Sequence, residues 1–314
     1  MTIAVSGSIN YAATADSIIC EALEQLTVLG EGETPNQAQI DSCLRTLNMM
    51  VKSWQTRKAH LFTLHQVYLF PQTSQRKYTL NSSTTDHITT SYQQTALAAD
   101  ASSGASSISV DSISGISDGD YIGVETTSNQ VQWTTVNGTP SGSTITLTDT
   151  LTAAASEDGI VFAYTTKANR PMKIYRAVER TSDIVDTPLS VKTYQEYENL
   201  SNKTTTGRVN QIYYDPQVSS PSLYLWPIPT DETNAVVLWA QRTIDDFDAT
   251  TNSVDFPQEW FLALSFNLAR YLAPKYGVDE VTYKRIVGEA RMALEDAESW
   301  DSELMFNLEP GDMC

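Results

Sequence analysis

Apolar positions along the chain recur with two rhythms, one helical and one strand-like, and the helical rhythm is confined to its two ends. Near the start, Ile19, Leu23, Leu26 and Leu29 fall on one face of a helix predicted over about Thr14 to Leu29, with Gly30 placed to end it. Thr34-Pro35-x-Gln37 reads as a capping box opening a second helix. Ile40, Leu44, Leu47, Val51 and Trp54 follow at spacings of four and three. The short connection predicts an antiparallel hairpin. Near the end, "DFPQEWFLALSFNLARYLAPKYG" predicts a helix over 257–273 with apolar residues around most of its circumference. A helix normally buries one stripe, so this one needs neighbours on several sides. A last helix, about Asp279 to Trp300, carries Tyr283, Ile286, Val287, Ala290, Leu294 and Ala297 as a stripe opposite a charged face, with Pro274 and Gly277 separating the two.

Between these ends the period is two. "LFTLHQVYLF" (61–70) and "RKYTL" (76–80) read as strands joined by the polar turn "PQTSQ". Then "SISV", "DYIGVE", "VQWTTV", "TITLT" and "GIVFAYT" alternate between turn residues, the pattern of a small sandwich or barrel. After Pro171, "MKIYRAVER", "QIYYD", "SLYLWPIP" and "AVVLWAQR" continue the β character, their Tyr and Trp suited to half-buried sheet faces. The expected fold is α+β: a helical bundle built from the N- and C-terminal hairpins, with a central β region and an inserted small all-β domain. The expected parts are 1–92 (hairpin plus strands), 93–166 (insertion), 167–300 (β region and hairpin) and a tail, 301–314.

Composition supports the insertion. No lysine or arginine lies between Lys77 and Lys167, while nine acidic residues do. The whole chain of 314 residues has a formal net charge of −18, which disfavours tight wrapping of nucleic acid. An acidic wall can still let a polyanion pass without sticking. Cys20, Cys43 and Cys314 form no CxxC pair, so neither a zinc site nor a disulfide framework is predicted. The first residues lack the basic and apolar regions of a secretory signal, and no run is apolar enough to span a bilayer.

Candidate chemistry is sparse. Gly115-Ile116-Ser117-Asp118-Gly119 matches the nucleophile-elbow pattern, but it leads into a strand, and His60, His65 and His87 all precede it. A glycine turn before a strand is the expectation, and Ser117 is not expected to act as a nucleophile. The histidines lack a metal-ligand spacing. Asp245-Asp246 and Glu157-Asp158 read as solvated loop charge. "LYLWPIP" and its neighbouring aromatics read first as core and second as a sugar- or peptide-binding surface. No catalytic residue, cofactor or metal is expected.

The segments "ADSIICEALEQLTVLGEGETPNQAQIDSCLRTLNMMVKSWQTRKAHLFTLHQVYLF", "VDFPQEWFLALSFNLARYLAPKYG" and "RIVGEARMALEDAESWD" resemble the head-to-tail adaptor proteins of tailed bacteriophages. The likeness is to the tail accessory factor, or packaged-DNA-stabilising, family of short-tailed phages, and covers about residues 12–92 and 167–300. It implies a structural, non-catalytic protein of the virion's head–tail junction, made in the host cytoplasm. Such a protein forms a ring, generally a dodecamer, beneath the portal protein. The ring extends the channel for double-stranded DNA without binding it specifically, helps retain the packaged genome and docks the tail hub or nozzle. It also implies that a C-terminal segment meets the portal, here Trp300, Leu304, Met305, Phe306 and Leu308. Trp54, Trp260, Phe261, Leu264, Phe266, Leu268 and Tyr271 are expected in the helical core and at subunit interfaces. The insertion lies outside the resemblance. The alternative is a tail-associated binding module whose β insertion recognises a glycan or host surface.

Overall fold

A computed structural model of the chain describes residues 11–57, 61–126 and 129–301. Among them are five α-helices, α1 (Ala15–Gln25), α2 (Gln37–Arg57), α3 (Tyr194–Glu198), α4 (Phe261–Tyr276) and α5 (Glu280–Trp300), against fourteen strands. The chain divides into two compact units, 1–63 with 243–314, and 64–242. The expectation of a helical bundle with a small β insertion is therefore corrected. Most of the protein is β, and its largest element is a curled, eight-stranded half-barrel sheet.

The helical unit joins the two ends of the chain. Thr14 and Ser17 form a reciprocal capping box at α1. The helix stops at Gln25, short of Leu29, because Thr27 turns left-handed (φ 57°) and the Val28 amide donates back to the Leu23 carbonyl at 3.1 Å. That is a Schellman closure without glycine. The capping box of α2 sits two residues later than expected. Asn36 Oδ1 accepts from the Gln39 amide at 3.0 Å and Gln39 Oε1 from the Asn36 amide at 2.9 Å. Asn is a stronger cap than Thr, which leaves Pro35 just outside the helix. At the other end Pro274 does not separate the last helices. α4 continues through it to Tyr276 and closes at Gly277, whose φ of 64° needs no Cβ penalty.

α4 packs with α1, α2 and α5, which explains its many apolar sides. Trp260, Leu264, Leu268 and Leu272 are fully buried in one core with Leu23, Leu47 and Ile286. Trp54, Phe62, Phe256 and Trp260 form an aromatic cluster with centroids 5.2–6.4 Å apart, each such pair adding about 0.5–1.5 kcal/mol. Buried Asn267 ties α4 to α5, donating to the carbonyls of Ala263 and Ala290 at 2.9 Å. The Asn48 amide exchanges two 3.0 Å bonds with the backbone of Phe247.

The second unit contains β1 (Leu64–Phe70), β2 (Lys77–Thr79), β3 (His87–Thr89), β4 (Gln93–Ala96), β5 (Ser107–Ser109), β6 (Tyr121–Glu125) and β7 (Val131–Thr135). It continues with β8 (Thr144–Thr146), β9 (Ile160–Tyr164), β10 (Lys173–Arg180), β11 (Asp186–Lys192), β12 (Gln211–Asp215), β13 (Ser222–Trp226) and β14 (Ala235–Gln241). The main sheet runs β2-β13-β12-β11-β10-β14-β1-β3. Its pairs are antiparallel except β11 with β12. The expected hairpin of β1 with β2 does not form, since they lie near opposite ends of this order. In a flat sheet they would be about 29 Å apart, beyond the roughly 24 Å that the chain from Phe70 to Lys77 can reach. The sheet must curl, and one of its faces holds one core, including Val67, Leu69, Tyr78, Ile212, Leu223, Leu225, Val236 and Leu238.

The segment from Gln93 to Tyr164 builds a separate body against the opposite face, where Phe70 and Ala235 meet Val131, Phe162 and Tyr164. It has a four-stranded sheet, β4-β9-β6-β7, and the pair β5-β8. A core of Leu97, Ile108, Val110, Ile122, Val124, Ile145, Leu147 and Val161 draws on both.

Candidate functional site

The residues expected at interfaces divide sharply by exposure. Trp54, Trp260, Leu264 and Leu268 are buried inside the helical unit's own core, and Phe261 and Phe266 are half-buried. Tyr271 and Trp300 are exposed. Leu304, Met305, Phe306 and Leu308 lie outside the described residues, as does His60.

The apolar surface that stays open lies elsewhere on the same unit. On α5, Val281 is 78% exposed and Met292 54% exposed. They are eleven residues apart, three helical turns, and so share one face; Gly288 lies between them with nothing within 4 Å of where a Cβ would sit. The charged side expected of this helix is thus only partly charged, its ions represented by Lys284 with Glu280 and Arg291 with Glu295. A second feature is an open hollow of about 410 Å³ of mixed lining, where Tyr11, Val254, Phe256, Pro257 and Phe261 meet Ser253, Gln258 and Glu259. Tyr11 packs tilted against Phe261, centroids 5.9 Å apart, and remains exposed. Periodicity had marked the buried stripe of α5; the i, i+11 pair on its back was legible but was read as part of a charged face.

The other candidates resolve into structural roles. Gly115 and Gly119 both adopt positive φ. The Ser117 amide donates to Asp120 Oδ2 at 2.7 Å, and the turn feeds β6 rather than a helix. His87 is buried, its ring 3.9 Å from that of Trp133 and its Nδ1 2.8 Å from the Tyr164 hydroxyl. Burial, helped by the nearby Lys167 ammonium, lowers its pKa from 6.5 to about 3. Burial likewise pushes the Tyr164 phenol upward. Asp245 and Asp246 share an open loop hollow with Asp248 and Asp255. Among the described residues no group of three His, Cys, Asp or Glu could hold a metal ion, and no helix is long and apolar enough to cross a membrane.

No family model and no curated protein matches the chain. Among solved structures, it is similar to the Gp54 tailspike of Acinetobacter baumannii bacteriophage AP22, solved in complex with A. baumannii capsular saccharide. The identity is 21% over 25% of this chain and 15% of that chain, with a TM-score of 0.22. A likeness at that level bears on neither fold nor role.

Proposed function

We propose that the protein is a structural subunit of a tailed-phage virion, a head-to-tail adaptor that assembles with copies of itself into a ring on a portal protein. The observation that carries this reading is the pair of distinct surface features on the helical unit, one an exposed apolar pair and the other a hollow of mixed lining. Val281 and Met292 protrude from α5, while the hollow around Tyr11, Phe256, Pro257 and Phe261 is concave. A ring built by head-to-tail contacts needs two different faces on each subunit, a patch and a receptor for it. The negative charge of −18 suits a wall along which DNA slides. It also makes free subunits repel one another until a portal gathers them. The test is to mix the purified chain with the portal encoded beside it and image the product. A ring stacked on the portal is expected, and a Met292→Glu chain is expected to stay free. Portal particles bare of added density would reject the reading.

A second reading, recognition of a glycan by the inserted β body, is favoured by that body's self-sufficient core. Its exposed hollow around Asn129, Ser156 and Asp158 is the place to test it. Glycan binding by the intact chain that Asn129→Ala and Ser156→Ala abolish would support it.

A further inference from the structure

The main sheet carries two cations without a carboxylate on its outer face, and a β-bulge puts one of them there. β10 and β14 lose register between Ile174 and Arg176. Ile174 and Ala177 both lie in the sheet core, so two consecutive residues, Tyr175 and Arg176, are left to face out. On β14, Leu238 and Ala240 belong to the same core, and Trp239 between them faces out beside Arg176. The Arg176 guanidinium lies 4.8 Å from the centre of the Trp239 ring, and the Lys173 ammonium lies 4.8 Å from that of Tyr175. The Tyr175 hydroxyl donates to Gln241 Oε1 at 3.2 Å, which holds its ring in place. Cation–π contact positions both cations without using their N–H donors.

Among the described residues neither cation has a carboxylate at ion-pair distance. The acid that Arg176 does feel is already taken. Asp186 accepts from Nε and Nη2 of Arg180 at 2.7 and 2.8 Å, and those bonds, more than Arg176, hold its carboxyl below the usual range. Glu179 is buried and paired with Arg208. The chain has 20 basic and 38 acidic residues, so the anion that completes this face is plentiful on the chain itself. Two cations give a nucleic acid little to track, and the net charge of −18 repels it. The helical unit presents the complement. Asp245, Asp246, Asp248 and Asp255 line an open hollow of about 520 Å³. Lys52 pairs with Asp246 at 2.7 Å, and Asp255 Oδ2 accepts from the Asp245 amide at 3.1 Å. The side chains of Asp245 and Asp248 are exposed and, among the described residues, have no cationic partner. Two carboxylates three residues apart in a hollow thus match two outward-facing cations three residues apart. The acidic hollow shares Ser253 with the hollow around Tyr11 and Phe256, so it widens the receptor side of the ring contact.

We infer that Lys173 and Arg176 of one copy of the chain dock in the acidic hollow of a second copy, against Asp245 and Asp248. This rests on the ring reading above, to which it adds a charged contact between two different faces. The test treats an equal mixture of isotope-labelled and unlabelled intact chain with a zero-length carbodiimide, both alone at high concentration and on the portal. Mass spectrometry maps the products. Amides joining Lys173 to Asp245 or Asp248 are expected, with labelled and unlabelled chains linked to each other. In parallel, a Lys173→Glu, Arg176→Glu chain and an Asp245→Lys, Asp248→Lys chain should each assemble on the portal about tenfold more weakly, since like charges then meet. An equal mixture of the two should recover assembly. The crosslinking arm uses the unaltered chain and stays decisive if a reversed chain fails to fold. The inference is overturned if those amides are missing from both preparations or stay within single chains, or if either reversed chain forms rings unchanged. It is also overturned if a thymidine oligonucleotide binds the intact chain but not the Lys173→Glu, Arg176→Glu chain, which would assign the face to nucleic acid. Rings indifferent to both reversals leave the adaptor reading standing, whereas amides between copies beside a bare portal keep this contact and reject that reading.

Discussion

Two ends of one sheet face carry the same kinds of residue and meet different fates. At the β1–β14 end, Tyr68, Phe70 and Ala235 are roofed by Tyr92, Trp133, Phe162 and Tyr164 of the inserted segment and its approach. At the β12–β13 end, Tyr213 and Tyr224 meet the tyrosines of the five-residue α3, and the Trp226 indole donates to the Asn202 carbonyl at 2.8 Å. Aromatic content therefore does not decide whether a sheet face is core or surface. What lies above it does. The roofed end converts its rings into cohesion, with centroid separations of 4.8–6.2 Å among Phe70, Tyr92, Trp133, Phe162 and Tyr164. The other end stacks its rings on one another and leaves Tyr213 and Tyr224 half-buried.

The comparison is broken most directly by emptying each end in turn. Phe162→Ala should cost about 3–5 kcal/mol by chemical denaturation, whereas Tyr224→Ala should cost about 1 kcal/mol, because a half-exposed ring leaves no closed cavity. Equal losses would erase the distinction. Acid should act on the roofed end through His87. His87 stays neutral when folded down to about pH 3 but takes a proton near 6.5 when unfolded, so the unfolded state binds more protons in between. Stability from this group is complete above pH 6.5 and falls steadily as pH drops toward 3. His87→Phe should flatten the part of the denaturation-midpoint profile between those values. Next is Gly123, where an added Cβ would lie 2.8 Å from Trp133 and Val131. Gly123→Ala should cost about 1–3 kcal/mol by overpacking and shift the tryptophan emission. The smallest effect belongs to Tyr194→Ala, expected within about 0.5 kcal/mol of the parent protein by thermal unfolding.

Much of the helical unit could be read from the chain. Leu23, Leu47, Leu264 and Ile286 announce their faces because a helix closes its hydrogen bonds locally and displays its period in consecutive residues. Errors there were small displacements at caps, as at Asn36. The sheet was far less legible. β1 pairs with β14, some 170 residues onward in the sequence, and β2 with β13; nothing local in "LHQVYLF" or "RKYTL" names those partners. Alternation within "SLYLW" puts Tyr224 on one face and Leu223 on the other. Which of the two would be roofed depended on where the inserted segment settles, and no spacing encodes that.

The helical unit is assembled from two separate segments of the polypeptide, with the 179 residues of the second unit between them in order of synthesis. α1 and α2 leave the ribosome before that unit, and Leu23, Leu47 and Trp54 acquire their central packing partner, α4, only after it has been made. A polypeptide cut short anywhere before Trp260 keeps those side chains bare, and a prematurely ended product is barred from a finished helical unit by its own incompleteness.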